Sequence, residues 1–164
     1  MAGADLILHP EEYERIREVM ARLRSECNAK MVFLIDKNGQ QICAQGETDA
    51  IDTTALASLA AGNVAATDSL ARLIGEKEFS ILFHEGERDN LHISVVAGRV
   101  ILVVIFDERS SLGLVRLRVK RGSTDLRTVL ETVWSRSAAP RKAAAGGSPF
   151  GEITDEDIDR LFSD

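Results

Sequence analysis

The sequence predicts an α/β domain in which a five-stranded mixed sheet is sandwiched by helices, in the order helix, two strands, helix, three strands, helix. Two stretches, "MVFLID" at 31–36 and "VILVVIF" at 100–106, are almost wholly apolar, as expected of central strands covered on both faces. Three further stretches carry apolar residues three and four apart, the period of a helix with one buried face. A chain of 164 residues with 45% hydrophobic and 28% charged residues is long enough to bury a real core and reads as one globular domain.

The first helix opens at Pro10, followed by Glu11 and Glu12, because proline suits a first helical turn and carboxylates suit its positive end. Tyr13, Ile16, Met20, Leu23 and Cys27 then form one apolar stripe. After the strand 31–36, Asn38-Gly39 signals a two-residue hairpin, with the returning strand from Gln41 to Gln45. The second helix begins near Thr53, capped by Asp52 or Thr53, and ends at Gly75. From Thr53 to Thr67 it carries no charge, and an interior residue such as Gly62 costs about 1 kcal/mol relative to alanine. Something must compensate for that cost.

Three strands follow, Phe79 to His84, Leu91 to Ala97 and Val100 to Phe106, separated by "EGERDN" and by a tight turn at Gly98-Arg99. In the middle one Leu91, Ile93 and Val95 alternate with His92, Ser94 and Val96, so the two sets face opposite sides. Ser110 or Ser111 caps a last helix running from Leu112 to about Ser135. It carries Leu114, Leu117, Leu126, Leu130, Val133 and Trp134, with a weak point at Gly122.

The domain is expected to occupy residues 1–136. From Ser137 the composition shifts to "SAAPRKAAAGGSP", a flexible linker over 137–149. Residues 150–164, "FGEITDEDIDRLFSD", are acidic, yet Ile158, Leu161 and Phe162 make an i, i+3, i+4 patch and Thr154 with Asp157 makes a capping-box-like start. A segment this short is a marginal helix by itself. It reads either as a partner-binding tail or as a solubilising one.

Composition and motifs narrow the chemistry. A net charge of −6 disfavours nucleic acid or an anionic lipid surface as a general partner. Cys27 and Cys43 stand far apart in no metal or redox motif, which suits two buried thiols in a reducing compartment. No secretory signal is visible and the run Val100 to Phe106 is too short to span a bilayer, so a cytoplasmic protein is expected. There is neither a G-x-x-x-x-G-K-[ST] loop nor a strand followed by G-x-G-x-x-G, so the chain is not expected to be a GTPase or a dehydrogenase itself. Ser148 in "GGSPF" lies in the linker and not on a nucleophile elbow. His84 and His92, brought opposite each other across a hairpin with Glu85 nearby, could hold a metal; the plainer reading is two half-exposed strand residues. Asp155, Glu156, Asp157 and Asp159 lack the glycine and terminal glutamate of a calcium loop. Arg116, Arg118, Lys120 and Arg121 form a basic run, either a solvated face or a lipid or polar-scaffold contact. No metal and no cofactor is expected.

The motifs "FLIDKNGQ", "IDTTALASLAAGNVAAT", "ARLIGEKEF" and "VVIFDERSSLGLVRLRVK" resemble those of the roadblock/LC7 family over about Tyr13 to Trp134. The likeness is to its bacterial regulators of a small Ras-like GTPase, and the tail "SPFGEITDEDIDRLFSD" is similar to theirs. The resemblance implies a homodimer in which the second helices of two subunits lie side by side and the third strands pair. On that reading Ala57, Ala61, Val64, Asp68 and Ala71 are the dimer-facing stripe, and Leu56, Leu59, Leu70 and Leu73 pack on the sheet. Thr54, Ser58, Ala61, Ala65, Ser69 and Arg72 face outward as a neutral platform for the GTPase. The resemblance further implies GTPase activation without an inserted arginine finger, Arg72 being the nearest candidate, with GTP and magnesium belonging to the partner. Phe150, Ile158, Leu161 and Phe162 would dock the tail on the GTPase away from its nucleotide and favour the loaded state. A role in bacterial cell polarity and gliding motility, concentrated at one pole, is implied as well. Two other readings are a roadblock adaptor that only joins proteins, and a small-molecule or metal sensor built on His84 and His92.

Overall fold

The computed structural model describes residues 6–138. Its elements are α1 (Pro10–Cys27), β1 (Met31–Asp36), β2 (Gln41–Gly46), a short 3-10 turn (Thr48–Ala50), α2 (Thr53–Leu73), β3 (Ile81–Glu85), β4 (Asn90–Val96), β5 (Val100–Phe106) and α3 (Leu112–Ala138). Strand order in the sheet is β2-β1-β5-β4-β3. Every pairing is antiparallel, which corrects the expected mixed sheet. The reason is topological: β2 and β3 run the same way, but α2 carries the chain right across the sheet, so these two strands become its opposite edges and never meet.

The wholly apolar strands β1 and β5 are indeed the central pair, and alternation divides them between two cores. Val32, Leu34, Leu102, Val104 and Phe106 face α1 and α3, meeting Ile16, Met20, Leu23 and Leu126. Met31, Phe33, Ile35, Ile101 and Val103, joined by Ile93 of β4, face α2. Helices α1 and α3 pack on each other at Gly122, where a Cβ would come within 3.1 Å of Leu23 Cδ1. The weak point in the helix is thus the residue that lets the two helices close.

Local chemistry sets the element ends. In α1 the Glu12 carboxylate accepts from the His9 amide at 3.2 Å, and Asn28 ends the helix in the left-handed region at φ 50°. Tyr13 is exposed and the buried stripe contains Glu12 instead, whose carboxylate pairs with Arg136 near the end of α3. Burial pushes the Glu12 carboxyl up, but the Arg136 hydrogen bond and the His9 amide outweigh it and hold the group below its ordinary value.

Two turns differ from expectation. Between β1 and β2 only Gly39 takes positive φ, at 87°, whereas the expected two-residue turn needs it at both central positions. The Asp36 carboxylate instead accepts from the amides of Asn38 and Gln40, both at 2.9 Å, and a bulge between Leu34 and Ile35 absorbs the longer loop. Between β4 and β5 the positive φ values fall on Ala97 and Gly98, one residue earlier than expected. Strand β3 starts at Ile81, leaving Phe79 in the loop before it. Helix α3, capped by the Ser111 hydroxyl, which accepts from the Leu114 amide, runs to Ala138, two residues into the stretch read as linker.

Candidate functional site

Helix α2 is the candidate site, and its face assignments are the largest correction to the sequence reading. The stripe expected to meet a second copy is packed on the chain's own sheet: Ala57 is 2% exposed, Ala61 8%, Val64 2% and Ala71 0%, with Asp68 half-buried beside them. Conversely, the leucines expected on the sheet point away from it, with Leu59 73% exposed, Leu70 53% and Leu73 83%; only Leu56 is half-buried. The physical reason is volume. The sheet presents Phe33, Ile35, Ile93 and Ile101 to this helix, so the helix can lie close only by offering alanines. Reading large residues as the buried ones ignored the size of what they would have to pack on.

Seen end on, the helix has three surfaces. The buried one is the alanine–valine stripe. Its outermost crest carries Ala55, Leu59, Gly62, Ala66, Leu70 and Leu73, three and four apart. This crest was missed, though the heptad-like spacing of leucine and small residues is a legible signal for a helix seam. A Cβ added to Gly62 would meet nothing within 4 Å, so no contact among the described residues accounts for a glycine there. One flank holds Thr54, Ser58, Ala65, Ser69 and Arg72, all exposed as expected of the platform; Ala61 is not part of it. The β1–β2 hairpin borders this flank, since a Cβ on Gly39 would stand 3.1 Å from Ser58 Cα.

Polar contacts pin the helix at its start and at its middle. Asp52 caps it, accepting from the Ala55 amide at 3.1 Å. On the other flank Asn63 Nδ2 lies 3.0 Å from His84 Nε2. Beside the helix start a cleft of about 460 Å³ opens between Met31, Ile51, Leu56, Leu59, Leu91 and Ile105, continuing the apolar crest toward the sheet. Strand β3 is an edge, so its outer backbone groups have no strand beside them, and Ile81 on it is 49% exposed.

His84 and His92 do not form a site. His84 pairs with Leu91 and His92 with Phe83, so the two imidazoles lie on opposite faces of the sheet. His92, expected half-exposed, is fully buried under α3, and burial with the nearby Arg116 pushes its pKa down. No metal-binding cluster of three or more ligands occurs among the described residues. Burial also raises both thiols, that of Cys27 to about 11, which makes them inert packing groups. Phe150, Ile158, Leu161 and Phe162 lie outside the described residues. No described helix is long and apolar enough to cross a membrane.

Nothing on α2 can act as an acid or base toward a substrate held on its exposed flank; Arg72 is the single charged group there. Comparison with known proteins gives this surface a context. The roadblock/LC7 domain profile matches residues 15–106. The solved structure of Myxococcus xanthus MglB is similar at 55% identity and a TM-score of 0.74, covering 78% of this chain and 96% of that one. Gliding protein MglB of Thermus thermophilus is similar at 36% identity and a TM-score of 0.73, covering 80% and 99%. A structure described as MglB with a tetrameric arrangement shares 34% identity at a TM-score of 0.74, covering 80% and 99%. Helices on both sides of the sheet, the edge strand β3 and a profile match over most of the described domain lead to one conclusion: the chain belongs to the roadblock/LC7 family.

Proposed function

We propose that the protein is a homodimeric activator of a small Ras-like GTPase of the MglA type. The observation that carries this reading is the exposed, nearly uncharged outer surface of α2 in a chain 55% identical to MglB of Myxococcus xanthus. The crest of Leu59, Leu70 and Leu73 together with the free edge of β3 is the dimer contact. The flank of Thr54, Ser58, Ala65, Ser69 and Arg72, doubled by the two-fold axis, is the platform for the GTPase. Self-association is in keeping with the tetrameric arrangement described for one MglB relative.

A platform without acid, base or metal ligands accelerates hydrolysis only through its partner. Phosphoryl transfer depends on placing water, magnesium and charge around the γ-phosphate, and a Ras-like GTPase brings those groups itself. The dimer binds the switch conformation in which they are aligned and so raises its population. No arginine finger is required; Arg72 contributes at most at the edge of the contact. The tail residues Phe150, Ile158, Leu161 and Phe162 engage the GTPase away from its nucleotide, favouring the loaded state. The biological setting of this activity is cell polarity and gliding motility, with the protein concentrated at a cell pole.

The test is phosphate release by the MglA-type GTPase of the same genome under multiple turnover, with and without this protein. An acceleration of about tenfold or more is expected. Binding that is indifferent to GTP or GDP, with no acceleration, would replace the activator by an adaptor, a role that the lack of any reactive group on the platform equally allows.

A further inference from the structure

On the side of the molecule away from α2, the β4–β5 turn meets the end of α3. Ala97, Arg99, Arg127, Glu131, Trp134 and Ser135 line an open cleft of about 510 Å³. The Arg99 guanidinium lies over the Trp134 ring, 4.6 Å from its centroid. The ring is half-buried, with both arginines exposed, and neither arginine has an ion-pair partner among the described residues. The Arg136–Glu12 pair anchors the adjoining turn of α3, so the tryptophan is fixed in place. From Arg127 the same exposed face of α3 continues through Lys120 to Arg116. An aromatic surface flanked by unpaired cations is made for an acidic, partly apolar peptide.

Such a peptide leaves the domain at the same spot. Trp134 stands four residues before Ala138, about 6 Å along the helix axis. Residues 150–164 hold six carboxylates and one arginine around the apolar Ile158, Leu161 and Phe162. Eleven residues, 139–149, join that segment to Ala138, and for a Gly/Ala/Ser-rich stretch of that length the expected root-mean-square reach is about 18 Å. A tether that short gives the segment an effective concentration in the millimolar range, so a contact with an intrinsic dissociation constant of about 1 mM is half occupied within one chain. Charge complementarity, apolar match and chain reach thus converge on one occupant.

We propose that the acidic segment 150–164 docks on its own domain, across Arg99, Arg127 and Trp134, and so withholds its apolar patch from partners. The inference needs only the chain itself and stands or falls independently of the GTPase reading. It also gives the basic run of α3 a role as the electrostatic guide for the segment.

Trp134 is the single tryptophan in the sequence, which makes the test direct. The full-length Ser163→Cys variant is labelled at neutral pH with an acceptor of tryptophan fluorescence; Cys27 and Cys43 are buried and stay unlabelled. Efficient quenching of Trp134 that does not change on dilution is expected. Raising the salt concentration, an Arg99→Glu/Arg127→Glu change or an Ile158→Asp/Phe162→Asp change should each remove about half or more of the transfer. A thermal melt of each variant checks that the changes act on the contact and not on the fold. Transfer equal in the parent and both variants would show an undocked tether and overturn the proposal. Transfer that disappears on dilution would place the segment on a second copy, and transfer that rises only when a GTPase is added would place it on that partner; either result also overturns it.

Discussion

Leu59→Ala separates the corrected face assignment of α2 from the one the sequence suggested. Full burial of a leucine is worth about 1.5–3 kcal/mol, and Leu59 leaves 73% of its surface uncovered in the single chain. Covering it with a second copy and then truncating it to alanine costs about 1–1.5 kcal/mol per subunit, doubled by the two-fold axis to about 2–3 kcal/mol. The dimer dissociation constant should therefore rise about 30- to 140-fold. The fold itself should hardly notice, because the side chain is exposed and alanine is at least as good a helix former. Sedimentation velocity over a dilution series reads the first quantity, and thermal melting of the dilute protein the second. A dissociation constant within about threefold of the parent value would refute the crest as the dimer seam. A melt lowered as far as a core truncation, about 2–5 kcal/mol, would instead mean that Leu59 is packed inside its own chain. Ala61→Leu gives the mirror result: on the sheet-facing side, extra volume should cost about 1–3 kcal/mol of fold stability.

Ala65→Arg places a long cation on the exposed flank and should abolish about 90% or more of the GTPase stimulation while dimer mass persists; normal stimulation would remove the flank from the partner contact. His92 makes stability depend on pH. Its pKa is lowered from 6.5 in the fold, chiefly by burial and then by Arg116, so the unfolded chain takes up the proton first. Its contribution is complete above pH 6.5 and is lost as pH falls from there through the folded value. Denaturant titrations from pH 7.5 to pH 5 should show stability falling below pH 6.5, a fall absent in His92→Phe; an unchanged slope in that variant would assign the loss elsewhere. The thiols offer a last check: with Cys27 at about 11, both cysteines should resist alkylation in the native protein and react on unfolding, and rapid native labelling would contradict their burial.

Much of the fold was legible because strands β1 and β5 are apolar on both faces, which only a doubly covered central strand requires. The Asp52 cap and the start of α2 were legible from local chemistry alone. Strand direction was not, since nothing in a strand's sequence tells how far the following helix will carry the chain. The same limit applied to the faces of α2. Alanine and leucine compete for burial according to the surface they meet, and Phe33 and Ile101 lie far from α2 in sequence. His92 was misjudged for a related reason: alternation placed it opposite Ile93, but not under α3, where neither ring nitrogen finds a partner among the described residues. Thr54, Ser58, Ala65, Ser69 and Arg72 were legible as exposed because they avoid both apolar faces.

The antiparallel pairing of β1 with β5 has a consequence for how the chain reaches its native state. The β1–β2 hairpin and the β3–β4–β5 meander each form from neighbouring segments, whereas the ladder that joins them matches Met31 with Ile105 and Asp36 with Val100. Closing it requires α2 and both halves to be brought together at a large loss of chain freedom, so this step belongs in the rate-limiting barrier. Until then two of the most apolar strands present open edges, which is when the nascent chain is most exposed to clumping. Substitutions along Leu34 and Leu102 should therefore slow folding, and those near the Gly39 turn, which forms before this step, should slow it as well.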